Sequence, residues 1–261
     1  MLKDVRHIAL TGASAGIGAA LVNRLAAPGL RLSLAGRDQE ALGKLAETAR
    51  IRGAEVEISA LDVRDGAMTE KWVQTVWRAA PVDVFIASAG LFAGSPEAGV
   101  VEAPDDAVAV LETNLLGAVV GASEMARAMA ARGQGRIVLL SSVAALIPQA
   151  DAAAYSASKA GLTAYSAALR ELLEPAGVAV SVVHPGHVRT RQTQLQNGVM
   201  PMMIEPDLAA DRILAGLAKG QAEIHFPRPI WWFARLHQHL PYFLRRWLNR
   251  PYRFTVRGKA P

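Results

Sequence analysis

The chain of 261 residues contains no cysteine. That excludes a disulfide framework, a thiolate zinc site and a cysteine nucleophile, so any redox chemistry needs a bound cofactor. No metal site is assigned. Long apolar runs are also missing: the charge-free stretches 137–150 and 178–188 fall short of the ~18–20 residues a spanning helix needs. No transmembrane segment is expected. Lys3 and Arg6 precede a brief apolar run at 8–10, but Thr11 and Gly12 end it too soon for a signal-peptide core. With 22 Gly, 14 Pro and no repeat, the chain is neither collagen-like nor low in complexity.

Acid is absent from one end. Residues 226–261 hold seven Arg, one Lys and no Asp or Glu, a charge of +8 against +5 for the whole chain, which leaves −3 for 1–225. The same segment carries nine of the fifteen aromatic residues. A body, 1–225, and a basic aromatic extension, 226–261, therefore need separate explanations. The centre of the extension, IWWFARLHQHLPYFLRRWL at 230–248, reads in three ways. It suits an amphipathic segment on an anionic bilayer, a cover over a substrate mouth or partner subunit, or a stacked-aromatic nucleic-acid contact. Nucleic acid is not expected, because the body adds no basic field.

Within the body, strand-length apolar runs at 6–11, 31–35, 55–61, 82–87, 136–141 and 178–184 alternate with helical periodicity at 17–27, 38–51, 68–80, 105–131 and 152–173. The runs IALT, VFIAS, RIVLLS and VAVSVV are apolar nearly throughout, as strands covered on both faces must be. An α/β fold follows: a single domain with a doubly wound parallel sheet and the extension at its C-terminus.

The first strand runs into Thr11-Gly12-Ala13-Ser14-Ala15-Gly16-Ile17-Gly18 and then a helix. A helix N-terminus beyond a strand's carboxyl end offers free N–H groups and partial positive charge to a pyrophosphate, and glycines allow close approach. Further on, Tyr155 and Lys159 are four apart on a helix and share one face. An ammonium beside a phenol favours phenolate, which brings Tyr155 towards use as an acid or base near neutral pH. Ser142 ends the preceding strand and its hydroxyl suits a substrate oxygen that gains charge. After the second strand stand Gly36-Arg37-Asp38. An acid there grips the ribose hydroxyls of NAD, whereas a base pairs with the extra phosphate of NADP, so Arg37 favours NADP(H), with NAD(H) left open.

These segments together make the chain resemble the short-chain dehydrogenase/reductase family in its compact form. The shared features are TGASAGIG at 11–18, Asp62-Val63, Ser88-Ala89-Gly90, Asn114 in TNLLG, Ser142, Tyr155-x-x-x-Lys159, and Pro185-Gly186-x-Val188-x-Thr190. They occur in the family's order over residues 6–190. The resemblance implies a Rossmann-like fold. It gives Tyr155 the role of proton donor or acceptor, Lys159 that of ribose ligand, Ser142 that of carbonyl polariser, and Asn114 that of holder of a relay water. The family spacing to the tyrosine selects Ser142 over Ser141. By the same resemblance, Gly12, Ser14, Ala15, Gly16, Ile17, Gly18, Arg37, Asp62, Val63, Ser88, Ala89, Gly90, Tyr155, Lys159, Pro185, Gly186, Val188 and Thr190 bind the cofactor. One departure is Ser88, where the family usually has Asn; its hydroxyl is expected to tie to the central strand. His184 and His187, either side of the Pro-Gly turn, read as pocket-lining or packing residues, with a catalytic histidine as the alternative.

The expected activity is hydride transfer between NADP(H) and a carbonyl or secondary alcohol of an apolar small molecule. The alternatives are an NAD-dependent alcohol or hydroxysteroid dehydrogenase and a non-catalytic dinucleotide sensor; a sensor has no use for the tyrosine set. Leu195, Val199, Met200, Met202, Met203 and Ile204 are expected to form an adaptable apolar lid, with Leu91, Phe92, Leu146 and Ile147 as the opposite wall. The resemblance implies a homodimer or homotetramer. A cytoplasmic location, at most peripheral to a membrane's inner face, is the expectation.

Overall fold

The computed structural model describes residues 4–257. β1 (His7–Thr11) leads into α1 (Gly16–Leu25), β2 (Arg31–Gly36) into α2 (Gln39–Ile51), and β3 (Glu55–Ala60) into α3 (Gly66–Ala79). β4 (Val84–Ala87), α4 (Pro104–Leu111), α5 (Gly117–Arg132), β5 (Gly135–Leu140), α6 (Ala153–Leu173) and β6 (Val178–Pro185) follow. After them come β7 (Gln196–Asn197), α7 (Pro206–Ala218), β8 (Glu223–Phe226), α8 (Arg228–Gln238), α9 (Tyr242–Asn249) and β9 (Thr255–Val256).

Seven strands form one parallel sheet in the order β3-β2-β1-β4-β5-β6-β8. The chain winds outward from β1 to β3 and then returns to the other side of β1, so β1 and β4 are adjacent with Ile8 opposite Val84. Strand order reverses there, which opens a crevice at the carboxyl ends. Period-2 alternation splits the core into two layers. Ile8, Leu10, Val84 and Ile86 face α1, α2 and α7 through Leu21, Leu42 and Ile213. Ala9, Phe85 and Ile137 face α3, α5 and α6 through Val73, Met125, Met129 and Leu162. Both faces are dry, which is why these strands read as unbroken apolar runs.

Three features differ from the sequence reading. The helix expected over 105–131 is interrupted by a π-helical turn, Glu112–Leu116. The inserted residue re-aims the side chains around Asn114, a device common at functional positions. By length and composition alone, Pro104–Arg132 is apolar enough to cross a bilayer. Here its apolar face is used within the fold, since Ala122, Met125, Ala126 and Met129 are buried against the sheet. Second, β8 is a four-residue edge strand, too short for its period to stand out beside Pro227. Its last residue, Phe226, is the first residue of the extension. Third, the extension folds back: β9 pairs antiparallel with β7, Gln196 opposite Val256.

Two anchors hold the extension. On α8, Trp231 and Ala234 bury against Leu146, and Trp231 stacks on His225 with centroids 3.9 Å apart and planes 15° from parallel. Before β9, Arg253 grips Asp151 with two bonds of 2.6 Å, and the Phe254 backbone N–H donates to the same carboxylate at 3.1 Å. Asp151 is 2% exposed, so removing its partner strands a buried charge. Arg253→Met is expected to cost ~1–3 kcal/mol, at the lower side of a fully buried pair because the arginine is partly solvated. A thermal melt checks this: the midpoint falls by several degrees, and an unchanged midpoint contradicts the anchoring role.

Candidate active site

The turn after β1 is built by close backbone approach. Gly12 has φ of +70°, and a Cβ there would stand 2.5 Å from Ala89 Cα. A Cβ on Gly18 would stand 2.1 Å from Gly12 O. Only hydrogen fits at either position. The residue capping α1 is Ala15, which offers no side-chain acceptor to the first-turn N–H groups. An uncapped helix N-terminus ringed by glycine backbone suits a phosphate. The residues present therefore fit a dinucleotide, whose pyrophosphate the α1 N-terminus would hold.

A cleft of about 630 Å³ runs from this turn along the carboxyl edge. Gly12, Ser14, Ala15, Gly16, Ile17 and Gly18 line one end, with Arg37, Asp62 and Val63 beyond β2 and β3. Ser88, Ala89, Gly90, Ser142, Tyr155, Lys159, Pro185, Gly186, Val188 and Thr190 line the rest. The fold thus brings into one cleft every expected site residue except Asn114. That side chain is wholly buried. Its Oδ1 accepts from Leu91 N–H at 2.6 Å, and its Nδ2 donates to Leu91 O at 2.8 Å and to Ser158 Oγ at 3.2 Å. Ser88 ties to β1 through its backbone N–H, which donates to Thr11 O at 3.2 Å. That bond is open to any residue, so the expected hydroxyl contact is not what makes the link.

The two serines after β5 part company. Ser141 Oγ donates to Lys159 O at 2.9 Å and pairs with Thr163 Oγ1 at 2.7 Å, deep under α6. Ser142 lines the cleft, and its Oγ accepts from Ala144 N–H at 3.1 Å. Lys159 Nζ donates to Leu140 O at 2.8 Å and lies 5.7 Å from the Tyr155 ring centroid. Burial pulls the Lys159 ammonium down to about 8. The Tyr155 hydroxyl sits deep enough that desolvation pushes its pKa up, and a hydrogen bond to Ser142 opposes this only in part. The expected lowering of the phenol by its lysine neighbour is thus replaced by a rise: burial sets the direction, and the ammonium donates to Leu140 O.

Asp38 is occupied elsewhere, since its carboxylate accepts from Ala41 N–H at 2.9 Å and caps α2. The Asp62 carboxylate is held below its ordinary range by hydrogen bonds from Arg64, with the charge of Arg37 adding to the effect. Of the two histidines, His187 lines the cleft, whereas His184 is buried with Nδ1 3.3 Å from Ser142 O. Tyr165 bonds Ser123 Oγ at 2.8 Å, a packing role between α5 and α6.

The substrate side is more polar than expected. Val199, Met200, Met202 and Met203 are not among the cleft residues; Val199 and Met202 are exposed, and Ile204 packs into the core beside Val188. Arg191, Gln192, Thr193 and Gln196 line that wall instead, with Gln149 from the loop after β5. Gln192 Nε2 donates to Gly90 O at 2.6 Å and ties the segment across the cleft. Leu91 and Phe92 do line the opposite wall, but Leu146 and Ile147 pack under α8. The signal was present in RQTQLQ at 191–196, where a polar run precedes the methionines. Phe92 meets Tyr155 edge-on at 4.9 Å.

The family model of the short chain dehydrogenase matches residues 6–199. The chain belongs to the short-chain dehydrogenase family. An oxidoreductase of Myxococcus xanthus (strain DK1622) is 34% identical over 224 residues, covering 85% of this chain and 87% of that protein. A putative ketoacyl reductase of the monensin polyketide synthase from Streptomyces virginiae is 34% identical over 196 residues, 74% and 75% of the two chains. Among solved structures, a short-chain dehydrogenase from Sphingobium yanoikuyae in complex with NADPH superposes with a TM-score of 0.77 at 25% identity, covering 91% of this chain and 97% of that one. This short-chain dehydrogenase thus has the Rossmann-like oxidoreductase fold that takes a nicotinamide dinucleotide.

The buried lysine gives a signed pH effect. Its folded pKa of about 8 lies below the value of 10.5 for a free lysine, so between those values the unfolded chain binds the extra proton and stability rises with pH. Lys159→Met is expected to lack that rise, worth at most ~3 kcal/mol. Urea unfolding of both forms across this range checks it. Parallel pH slopes would contradict a buried, destabilised ammonium.

Proposed function

We propose that the protein transfers hydride between NADP(H) and a carbonyl or secondary alcohol of a small molecule with an apolar body and a polar handle. The observation that carries this reading is the convergence of the Tyr155 hydroxyl, Ser142 Oγ and Lys159 Nζ at the same stretch of cleft that continues to the uncapped α1 N-terminus. A bound nicotinamide supplies or accepts the hydride at the substrate carbon.

In the reductive direction, Tyr155 Oη gives its proton to the substrate oxygen while Ser142 Oγ hydrogen-bonds the same oxygen, so charge developing there is met by two hydroxyls. The resulting phenolate has the Lys159 ammonium beside it, and that favourable contact offsets the desolvation that raises the phenol. Asn114 acts one layer back. Its carboxamide bonds both polar groups of the Leu91 backbone, which ties the π turn to the loop after β4, and its role as holder of the relay water rests on the family resemblance.

NADP(H) preference rests on Arg37, which stands at the tip of β2 where Gly36 leaves no acid to grip ribose hydroxyls. Asp38 caps α2, and a guanidinium at this strand tip suits the extra phosphate of NADP(H). Reduction of a ketone is supported by the ketoacyl reductase relative. The mixed wall of Leu91 and Phe92 against Gln149, Gln192 and Gln196 favours a substrate with one apolar and one polar side.

Tyr155→Phe is expected to lower turnover at least ~10²–10⁴-fold, while affinity for NADPH stays within a few-fold. Steady-state assays on a ketone panel and a nucleotide titration measure both, and normal turnover in this variant would remove Tyr155 from the chemistry. Arg37→Ala is expected to weaken NADPH by ~10-fold or more, the scale of a lost charge-assisted bond, and NADH far less. Equal losses for the two nucleotides would overturn the NADP assignment.

A further inference from the structure

The extension presents a face that the rest of the protein leaves uncovered. On α8, Trp231, Ala234 and His237 turn inward, and Trp232 and Leu236 are each 65% exposed on the other side. α9 has no buried residue at all. Helical spacing gathers Phe243, Leu244, Trp247 and Leu248 on one side of α9, and Arg245 and Arg246 on the other. Phe243 is 68% and Trp247 69% exposed. A helix that shows its apolar side to water is not explained by the packing of this chain.

Charge decides what covers it. Among the described residues, two of the extension's arginines reach a carboxylate: Arg235 with Glu223 at 3.5 Å and Arg253 with Asp151 at 2.6 Å. Arg228, Arg246, Arg250 and Arg257 are exposed on a segment that has no acid of its own. A second copy meeting this face about a two-fold axis would set arginine against arginine, with like charges opposed. A surface that is anionic outside and apolar beneath satisfies both halves: guanidinium groups meet phosphates, and Trp and Phe rings enter the acyl boundary.

We infer that α8 and α9 dock the protein on an anionic lipid bilayer. The docking face is fastened at both ends beside the cleft: Trp231 packs on Leu146, four residues after Ser142, and Phe254 packs on Phe92 with centroids 6.0 Å apart. The inference does not depend on the substrate or on the nucleotide preference.

Flotation of the full chain with vesicles tests it. The protein is expected to float with phosphatidylglycerol/phosphatidylcholine vesicles at low salt, to float weakly at high salt, and to stay behind with phosphatidylcholine alone. Phe243→Ser with Trp247→Ser, and separately Arg246→Gln with Arg250→Gln, are each expected to cut the bound fraction at least tenfold. These side chains are exposed, so thermal midpoint and NADPH affinity stay as in the natural chain. Light scattering of the vesicle-free protein supplies the competing result. An oligomer that falls apart in the Phe243→Ser, Trp247→Ser variant would assign the face to a second copy and overturn the lipid inference. So would absence from anionic vesicles, or retention by a nucleic-acid duplex with no vesicle binding.

Discussion

Gly12 and Ala89 bring two backbones so close that a single methyl group would collide, and the whole carboxyl edge depends on that approach. β1 and β4 are neighbours only because the chain reverses its winding at β1. The reversal puts the turn after β1 directly against the turn after β4, and Gly12 accommodates it in the left-handed region. Gly18 then lets α1 start within touching distance of Gly12 O. The result is a helix N-terminus with no side chain over it, open to the crevice. Substitution at either glycine acts on the strand order's consequences, which is a larger matter than one turn.

A second constraint aims the reactive residues. Lys159 reaches down to Leu140 O, Ser141 reaches up to Lys159 O, and Thr163 joins Ser141, so α6 is locked over the end of β5 at the floor of the cleft. Asn114, Ser158 and the backbone oxygen of Tyr155 continue the network to the loop after β4. Lys159, Ser141, Asn114 and Ser158 are buried and every member is bonded, a condition in which such a network specifies one geometry. Tyr155 is therefore presented by a rigid helix, with its ring braced edge-on by Phe92.

Much of this was legible from residue patterns, for physical reasons. Strands covered on both faces must be apolar throughout, so β1, β4, β5 and β6 announced the parallel sheet. The glycine turn and the Tyr155/Lys159 spacing marked the cleft, because close approach and helical periodicity leave few other residue choices. The π turn at Glu112–Leu116 was invisible, since one inserted residue hardly disturbs helical periodicity. β8 was too short to show a period. The methionines at 200–203 misled because an adaptable side chain says nothing about direction, and the polar run just before them forms the wall. The reversed Tyr155 shift needed burial, which spacing alone does not carry.

The extension stands apart from this logic: it is fastened at Trp231 and Arg253, and between those points it turns an aromatic and cationic face outward. The central claim remains the cleft and its nucleotide. The most direct measurement is a titration of NADPH into the purified natural chain, followed by nicotinamide fluorescence, which needs no substrate. Saturable one-to-one binding, competed by NADP⁺, is the result this account predicts. Fluorescence that never departs from free NADPH, with NADH equally silent, would contradict the reading of the α1 N-terminus as a pyrophosphate site.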